Sequence, residues 1–154
     1  MNLGLEMIGD KQLRKNLNAL QEKISDRIML KGIRSGLVPI GREARRLARS
    51  QFKNNAIAKM ISRKAARTKD KDKLYGKVYI NDKKTEHAKI TVYGELQSFA
   101  AAAGIQEYGT RDGRVPAKPY MRPAFDSQKN VAFERLADKA RTELAKEVAK
   151  MKKR

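Results

Sequence analysis

The sequence GIQEYGTRDGRVPAKPYMRPAFD runs from Gly104 to Asp126, and the rest of the chain is expected to be arranged around it. It contains three of the four prolines of the protein and three of its ten glycines. Proline fixes φ and lacks a backbone donor, whereas glycine accepts conformations that other residues avoid. These 23 residues are therefore predicted to be neither a helix nor an ordinary strand.

Local rules predict the course of this stretch. A short extended piece at Gln106–Gly109 is followed by a turn at Asp112-Gly113, because glycine takes positive φ freely and Asp hydrogen-bonds its own backbone. Since proline disfavours the helical conformation of the residue before it, β or polyproline-like backbone is predicted at Val115, Lys118 and Arg122. A stiff crossing braced by prolines then carries three side chains into a hydrophobic surface, namely Tyr120, Met121 and Phe125.

The same stretch resembles a known signature. Glu107-Tyr108-Gly109-Thr110 is followed by Pro116-Ala117-Lys118-Pro119-Tyr120-Met121-Arg122-Pro123-Ala124. In order and spacing, the two runs resemble the E-aromatic-G-T and P-A-x-P-aromatic-hydrophobic-R-P-A pattern of the small neck or tail-completion proteins of long-tailed bacteriophages. A basic helical N-terminal half, a central hairpin and a charged terminal helix also resemble that family. Residues 54–78 depart from its pattern and are rich in lysine and arginine.

The resemblance implies a virion structural protein of the tail or neck, made in the bacterial host cytoplasm. It would form a ring oligomer at the head-to-tail junction, complete the tail and allow head joining, with itself and neighbouring phage neck or tail proteins as partners. The residues of the implied subunit or partner interface are Glu107, Tyr108, Gly109, Thr110, Pro116, Pro119, Tyr120, Arg122 and Pro123. Glu107 and Arg122 would pair either with each other or across a subunit boundary.

Two interpretations of this stretch stay open. In one, the rigid loop presents an edge to a partner, since a segment fixed by proline loses little entropy when it docks. In the other, the glycines and prolines only shape a loop while Tyr120, Met121 and Phe125 fill the core.

Composition limits the class of protein. The 154 residues fit one domain with a modest core, and the absence of cysteine excludes disulfides and fits synthesis in a reducing cytoplasm. No window approaches the about 20 apolar residues of a membrane span, and residues 1–8 do not read as a secretory signal. The formal net charge of +19 implies attraction to nucleic acid, acidic protein surfaces or anionic lipid.

Apolar residues spaced by three and four predict two helices in the N-terminal half. The first is capped by Asp10, and its stripe consists of Leu13, Leu17, Leu20 and Ile24. The second is capped by Asp26, and its stripe consists of Ile33, Leu37, Ile40, Ala44 and Leu47. Pro39 predicts a kink or a break near Leu37, or one bent helix of about five or six turns.

Residues 42–73 form a basic block, with twelve basic and three acidic side chains. Ala56–Arg67 is predicted to be helical and Thr68–Lys73 to be a solvated loop. Possible contacts with DNA or with an acidic partner are Arg42, Arg45, Arg46, Arg49, Lys53, Lys59, Arg63, Lys64 and Arg67.

The second half predicts a β-hairpin and two helices. Alternation at Leu74–Ile80 and Ala88–Tyr93 around a polar turn indicates a hairpin over residues 74–93. Glu95–Ala103 is predicted as a short helix that stops at Gly104. A last helix, capped by Asp126 or Ser127, carries its stripe at Phe133, Leu136, Ala137, Ala140, Leu144, Val148 and Met151.

Together these elements predict an α+β fold in a single domain of residues 1–154. N-terminal helices and a long C-terminal helix are expected to pack on a small antiparallel β-sheet built on the central hairpin.

The residues favour no enzymatic chemistry. His87 is the one histidine and lies in the predicted hairpin turn, and a chain without cysteine then has no conventional triad. No phosphate-binding or dinucleotide glycine loop occurs, and Asp70 and Asp72 alternate with lysines that oppose a cation. We therefore expect a protein that is not an enzyme and has no cofactor or metal. The alternative function is contact of the basic block with the phosphate backbone of DNA, without sequence readout.

Overall fold

Long helices and short strand pairs make up the computed structural model, which describes residues 22–52, 55–69, 73–81, 89–92 and 95–151. In chain order the elements are α1 (Glu22–Gln51), α2 (Ala56–Met60), β1 (Ile61–Arg67), β2 (Leu74–Ile80), β3 (Lys89–Val92), β4 (Glu95–Ser98), α3 (Phe99–Tyr108) and α4 (Met121–Met151). The α+β class, with a small antiparallel hairpin sheet and a long C-terminal helix, is confirmed.

Helix α1 continues through Pro39, so of the predicted alternatives the single helix is confirmed and the break near Leu37 is wrong. Its 30 residues make about eight turns rather than five or six. The predicted stripe is buried on both sides of the proline at Ile33, Leu37, Ile40 and Ala44. The buried residues keep the helical spacing of three and four across Pro39. The free energy gained by this burial outweighs the cost of a proline inside the helix, which is about 3 kcal/mol.

Asp26 lies within α1 rather than at its cap, because the helix is already formed at Glu22. Its carboxylate pairs instead with Arg67 of β1. Residues 10–21, which hold most of the first predicted helix, lie outside the described residues.

The helix predicted at Ala56–Arg67 is wrong beyond Met60, since the chain becomes strand β1 at Ile61. Ile61 and Ala65 are both buried. Residues four apart share one side of a strand as well as of a helix, so apolar spacing alone does not distinguish the two. Pairing with β2 supplies the backbone partners that decide for the strand.

Strand β2 has the predicted bounds, but the predicted 74–93 hairpin is wrong in its pairing. Among the described strands, β2 pairs with β1, and β3 pairs antiparallel with β4, with Lys89 opposite Ser98. The return strand was therefore found but assigned to the wrong neighbour. Residues 82–88, including His87, lie outside the described residues. Residues 70–72 of the loop predicted between β1 and β2 also lie outside the described residues, and the Thr68 N–H donates to the carbonyl of Lys73 at 2.8 Å.

The chain divides into two compact units, each assembled from separate stretches. One comprises the described residues within 22–39, 63–77 and 130–151, and we call it the glycine-packed unit. The other comprises those within 40–62 and 78–129, and we call it the motif unit. Helices α1 and α4 contribute residues to both units. The single domain expected from the sequence stays a prediction.

In the glycine-packed unit, the backbones of α1 and α4 approach very closely and run in opposite directions. A Cβ atom on Gly36 would lie 2.7 Å from the carbonyl oxygen of Ala132, and one on Gly32 would lie 3.0 Å from that of Leu136. Gly36 has no room for a side chain, and a side chain at Gly32 would push its neighbour away slightly, so glycine is what permits this distance. Ile28 packs on α4 in the same unit, in a cluster with Ala140 and Leu144.

Glu143 of α4 is a buried carboxylate in the glycine-packed unit. It accepts hydrogen bonds from Lys31 at 2.6 Å and from Lys146 at 3.3 Å, and it pairs with Lys139 at 2.9 Å. The hydrogen bonds from Lys31 and Lys139 lower the pKa of Glu143 to about 2. Of the predicted α4 stripe, Leu136, Ala140 and Leu144 are buried, and Phe133 and Ala137 are half-buried. Its last members, Val148 and Met151, are exposed.

Candidate interaction site

Helix α3 begins and ends with local caps in the motif unit. Ser98 caps the start by accepting the N–H of Ala101 at 3.2 Å. Gly104 lies inside the helix, and Gly109 ends it with φ 76° and an N–H bond to the carbonyl of Ile105 at 2.7 Å. The helix predicted from Glu95 begins only at Phe99, since Glu95–Ser98 form strand β4. The predicted stop at Gly104 and the predicted extended piece at Gln106–Gly109 are also wrong. Gly104 and Gly109 could each have ended the helix, but of the two only Gly109 has the positive φ that requires glycine.

The turn predicted at Asp112-Gly113 is confirmed. Gly113 has φ 73° and donates to the carbonyl of Thr110 at 3.1 Å. Two hydrogen bonds between Thr110 and Val115 close the loop at its base. The Thr110 N–H donates to the carbonyl of Val115 at 3.1 Å, and the Val115 N–H donates to Thr110 Oγ1 at 2.9 Å. Hydrogen bonds from the Thr110 hydroxyl and from the Arg114 N–H hold the pKa of the Asp112 carboxyl below its usual range.

Glu107, in the last turn of α3, caps the first turn of α4. Its side chain is buried, with only 5 % exposed, and it accepts the backbone N–H groups of Tyr120 at 2.8 Å, Met121 at 2.9 Å and Arg122 at 3.0 Å. A helix N-terminus leaves such groups without intrahelical partners and favours a negative charge. Helix α4 therefore starts at Met121, and the start predicted at Asp126 or Ser127 is wrong.

Pro123 occupies the first turn of α4, where its missing N–H costs no hydrogen bond. Arg122 is consequently helical, and the extended backbone predicted for it is wrong. The cap supplied by Glu107 holds the residue before this proline in a conformation that proline ordinarily disfavours.

Arg122 and Glu107 pair with each other within one chain. Arg122 Nε lies 3.2 Å from Glu107 Oε1, and Nη2 donates to the backbone carbonyl of Glu107 at 2.8 Å. The guanidinium also lies over the ring of Tyr108, 5.0 Å from its centroid. Tyr108 is 59 % exposed and the Arg122 side chain 46 % exposed, so this stacked pair forms part of the protein surface.

Tyr120 fills the core of the motif unit, as predicted, and is 1 % exposed. The ring of Phe52 meets it edge to face at 5.8 Å. Burial raises the pKa of the Tyr120 hydroxyl, and the charge of Glu107 raises it further. Met121 and Phe125 are only half-buried. The side-chain amide of Gln51 donates to the carbonyl of Pro119 at 3.1 Å, which joins the end of α1 to the crossing.

The interface residues expected from the motif thus separate into inner and outer members. Glu107 and Tyr120 lie inside and hold the fold together, and Gly109, Thr110 and Pro119 are half-buried. The exposed members are Tyr108, Pro116, Arg122 and Pro123, and their role at an interface stays a prediction. The interface residues predicted from the motif leave out three exposed cations, namely Arg111 and Arg114 between its two halves and Lys118 inside the second half. Their charge was visible in the sequence.

Arginines of the basic block form a ridge along α1 in the motif unit. Arg42, Arg46 and Arg49 are exposed, and their spacing of four and three places them on one helix face. Arg46 forms two hydrogen bonds with Glu43, at 2.8 and 2.7 Å. Arg45 is half-buried, and its Nη2 donates to the carbonyl of Ile61 at 2.5 Å, so this side chain connects α1 to β1.

The remaining basic residues do not share one unit. Lys59 is exposed in the motif unit, whereas Arg63 and Lys64 are exposed in the glycine-packed unit. Arg67 of the latter unit pairs with Asp26. Lys53 lies outside the described residues.

None of the helices in the described ranges combines the length and the apolar character needed to cross a membrane. In the same part of the chain, no three His, Cys, Asp or Glu side chains come together as metal ligands would.

Comparison of the chain with protein-family models, with curated proteins and with solved structures finds no match.

Proposed function

We propose that this protein is a structural component of a long-tailed phage or prophage particle, of the neck or tail-completion type. One observation carries the proposal: both halves of the signature that resembles that family meet at a single buried carboxylate. Glu107 of the first half binds the backbone of Tyr120, Met121 and Arg122 of the second. The spacing between the halves therefore has a physical reason, since it allows one residue to cap a helix that begins 14 residues later.

The proposed role is assembly rather than chemistry. Copies of the chain would surround the tail axis at the head-to-tail junction, complete the tail and prepare it to join the head. A loop closed between Thr110 and Val115 and anchored by Glu107 is already ordered before a partner arrives. Such a surface loses little conformational entropy on docking, which suits contacts repeated around a ring. The site of action would be the virion tail or neck, after synthesis in the bacterial host cytoplasm.

Mass measurement in solution tests this function. Light scattering on the purified protein should give a multiple of 17.5 kDa if copies assemble alone. If they assemble only on tails, the chain should leave the 17.5 kDa fraction and co-sediment with tails isolated from the phage or induced prophage that encodes it. Tyr108→Arg places a charge on the exposed stacked pair and should reduce assembly onto the tails. Val131→Arg, an equal change at an exposed position of α4, is the matched control. A chain that stays at 17.5 kDa under both conditions would rule out the assembly role.

The arginine ridge favours contact with the phosphate backbone of DNA as a second candidate function. Arg42 and Arg49 are separated by a helical rise of about 10 Å, which allows several phosphates to be contacted at once. Titration of duplex DNA at several salt concentrations should show a salt slope that falls by about 0.9 for each phosphate contact removed by Arg42→Gln or Arg49→Gln. Arg135→Gln, at an exposed position of α4, is the control. Tight binding by an isolated monomer at physiological salt would favour this function over assembly.

A further inference from the structure

Three successive residues at the end of α3, namely Gln106, Glu107 and Tyr108, contact the exposed residues Lys118 and Arg122. The carbonyl of Gln106 accepts the backbone N–H of Lys118 at 2.7 Å, and the carbonyl of Glu107 accepts Arg122 Nη2 at 2.8 Å. Tyr108 follows directly, with the Arg122 guanidinium over its ring. Tyr108, Lys118 and Arg122 are all exposed. We call these three residues the Tyr108 surface.

The chemistry of the Tyr108 surface suits a carboxylate next to an apolar group. A guanidinium has five donors in a planar fork, and the two contacts with Glu107 occupy only Nε and Nη2. The Arg122 side chain is held in place by these contacts while 46 % of it remains exposed. An arginine fixed in this way binds carboxylate oxygens without losing further rotamer freedom. Beside it, the exposed ring of Tyr108 offers an apolar contact.

The surrounding charge is positive. Arg111 and Arg114 at the loop tip are also exposed, and the exposed acid between them, Asp112, pairs with Arg114 at 3.1 Å. A second copy of the chain brings 36 basic side chains against 17 acidic ones, so a contact of this surface with another copy, whether isologous or head-to-tail in a ring, meets a predominantly basic partner. The positive electrostatic potential around the Tyr108 surface therefore disfavours contact with another copy of the chain and favours an anionic partner.

We propose that the Tyr108 surface binds an acidic segment of a different protein, with carboxylates on Lys118 and Arg122 and an apolar side chain on Tyr108. The proposal rests on the assembly function above and assigns this part of the site to a neighbouring protein rather than to the next copy in a ring. A single-stranded nucleic acid fits less well, because Arg122 already covers one face of the one exposed aromatic ring at this surface. Stacking platforms for bases present successive open rings.

Fluorescence anisotropy on the full-length protein tests this assignment. The probes are a labelled peptide with a run of glutamates around one phenylalanine, the same peptide with glycine in place of phenylalanine, and a thymidine oligonucleotide of equal charge. Lys118→Glu should weaken binding of the phenylalanine peptide by about tenfold, and Tyr108→Ala should abolish the preference for phenylalanine over glycine. Arg49→Glu, the same charge change at an exposed position of the arginine ridge, should alter binding by less than about threefold.

Several results would overturn the assignment. Equal losses for Lys118→Glu and Arg49→Glu would mean that only overall charge attracts the peptide. Tighter binding of the oligonucleotide, with the same sensitivity to Lys118→Glu, would identify a nucleic-acid surface. A smaller assembled mass for Lys118→Glu, with peptide binding unchanged, would identify a contact between copies. Specific peptide binding by a protein that never assembles would retain the acidic-segment surface and remove only the phage role.

Discussion

Replacement of Glu107 is the sharpest test of how α3 and α4 are joined. Glu107→Ala removes the acceptor of three backbone N–H groups and of Arg122 Nε, whereas Glu107→Gln keeps the shape and removes the charge. The carboxylate is 5 % exposed, so water does not readily replace it. Both variants leave the sequence of α4 unchanged, and any loss of stability therefore reports the cap.

The expected magnitude follows from these contacts. A hydrogen bond to a charged acceptor contributes about 1.5–3 kcal/mol, and donors that share one acceptor are not additive. For Glu107→Ala we expect a loss of about 3–5 kcal/mol, because three backbone donors lose their shared charged acceptor. Glu107→Gln should cost about 2 kcal/mol, because the amide oxygen still accepts from one side while the NH2 group faces donors on the other. The ion pair with Arg122 adds little, since that side chain is 46 % exposed.

Urea denaturation followed by helical circular dichroism measures these differences, and each kcal/mol should lower Tm by about 2–4 °C in a chain of this size. Arg122→Met isolates the side-chain pair and should cost much less than Glu107→Ala. Glu43→Gln breaks a carboxylate–arginine pair at the protein surface and is the matched control for charge removal. If Glu107→Ala unfolded at the same urea concentration as the wild type, the assignment of this carboxylate as the cap of α4 would be refuted.

Three further predictions concern glycines and charge. Gly109→Ala should destabilise the protein by about 1–3 kcal/mol, because φ 76° with ψ −178° is essentially restricted to glycine. Gly104→Ala lies inside helix α3, with no atom within 4 Å of the new Cβ, and should stabilise the protein by about 0.5–1 kcal/mol. Thermal unfolding compares the two variants, and equal effects would contradict the placement of the α3 end. Gly36→Ala should cost about 1–3 kcal/mol by pushing a methyl group to 2.7 Å from the carbonyl of Ala132, and a neutral result in a urea titration would show that α1 and α4 are farther apart. The pKa of Glu143 is lowered to about 2 by its lysine partners, so its contribution is present above the ordinary pKa of 4.5 and is lost as the pH falls toward 2. Glu143→Gln should flatten the pH dependence of the unfolding free energy in that window, and an unchanged slope would exclude the carboxylate as its source.

Much of the backbone was predictable wherever one period of burial extends over a long segment. The apolar stripe of α1 continues on both sides of Pro39, and the stripe of α4 is predicted correctly as far as Leu144. Strand β2 has its predicted bounds, and the turn at Asp112-Gly113 follows from residue chemistry alone. Each of these signals is local, so no knowledge of the tertiary structure was needed to find them.

The errors arise where the deciding partner is distant in sequence. The residues next to Met121 do not supply the cap of its helix, which is Glu107, 14 residues earlier. Ile61 and Ala65 fit a helix or a strand equally well until β2 is known to lie beside them. At the candidate site, the sequence identified Glu107 and Arg122 as a pair but left open whether they belong to one chain. Only the geometry shows that this pair is used inside the fold and that Tyr108 is left outside.

The double closure between Thr110 and Val115 has a practical consequence for visualising the protein. Its ends are fixed below the tip, while Asp112 and Gly113 lie exposed above it. Lengthening a loop whose base is closed costs free energy that grows only with the logarithm of its length. The peptide bond between Asp112 and Gly113 is therefore where an epitope tag or a dye-acceptor sequence can be inserted, so that the polypeptide can be located by electron microscopy in any particle that contains it.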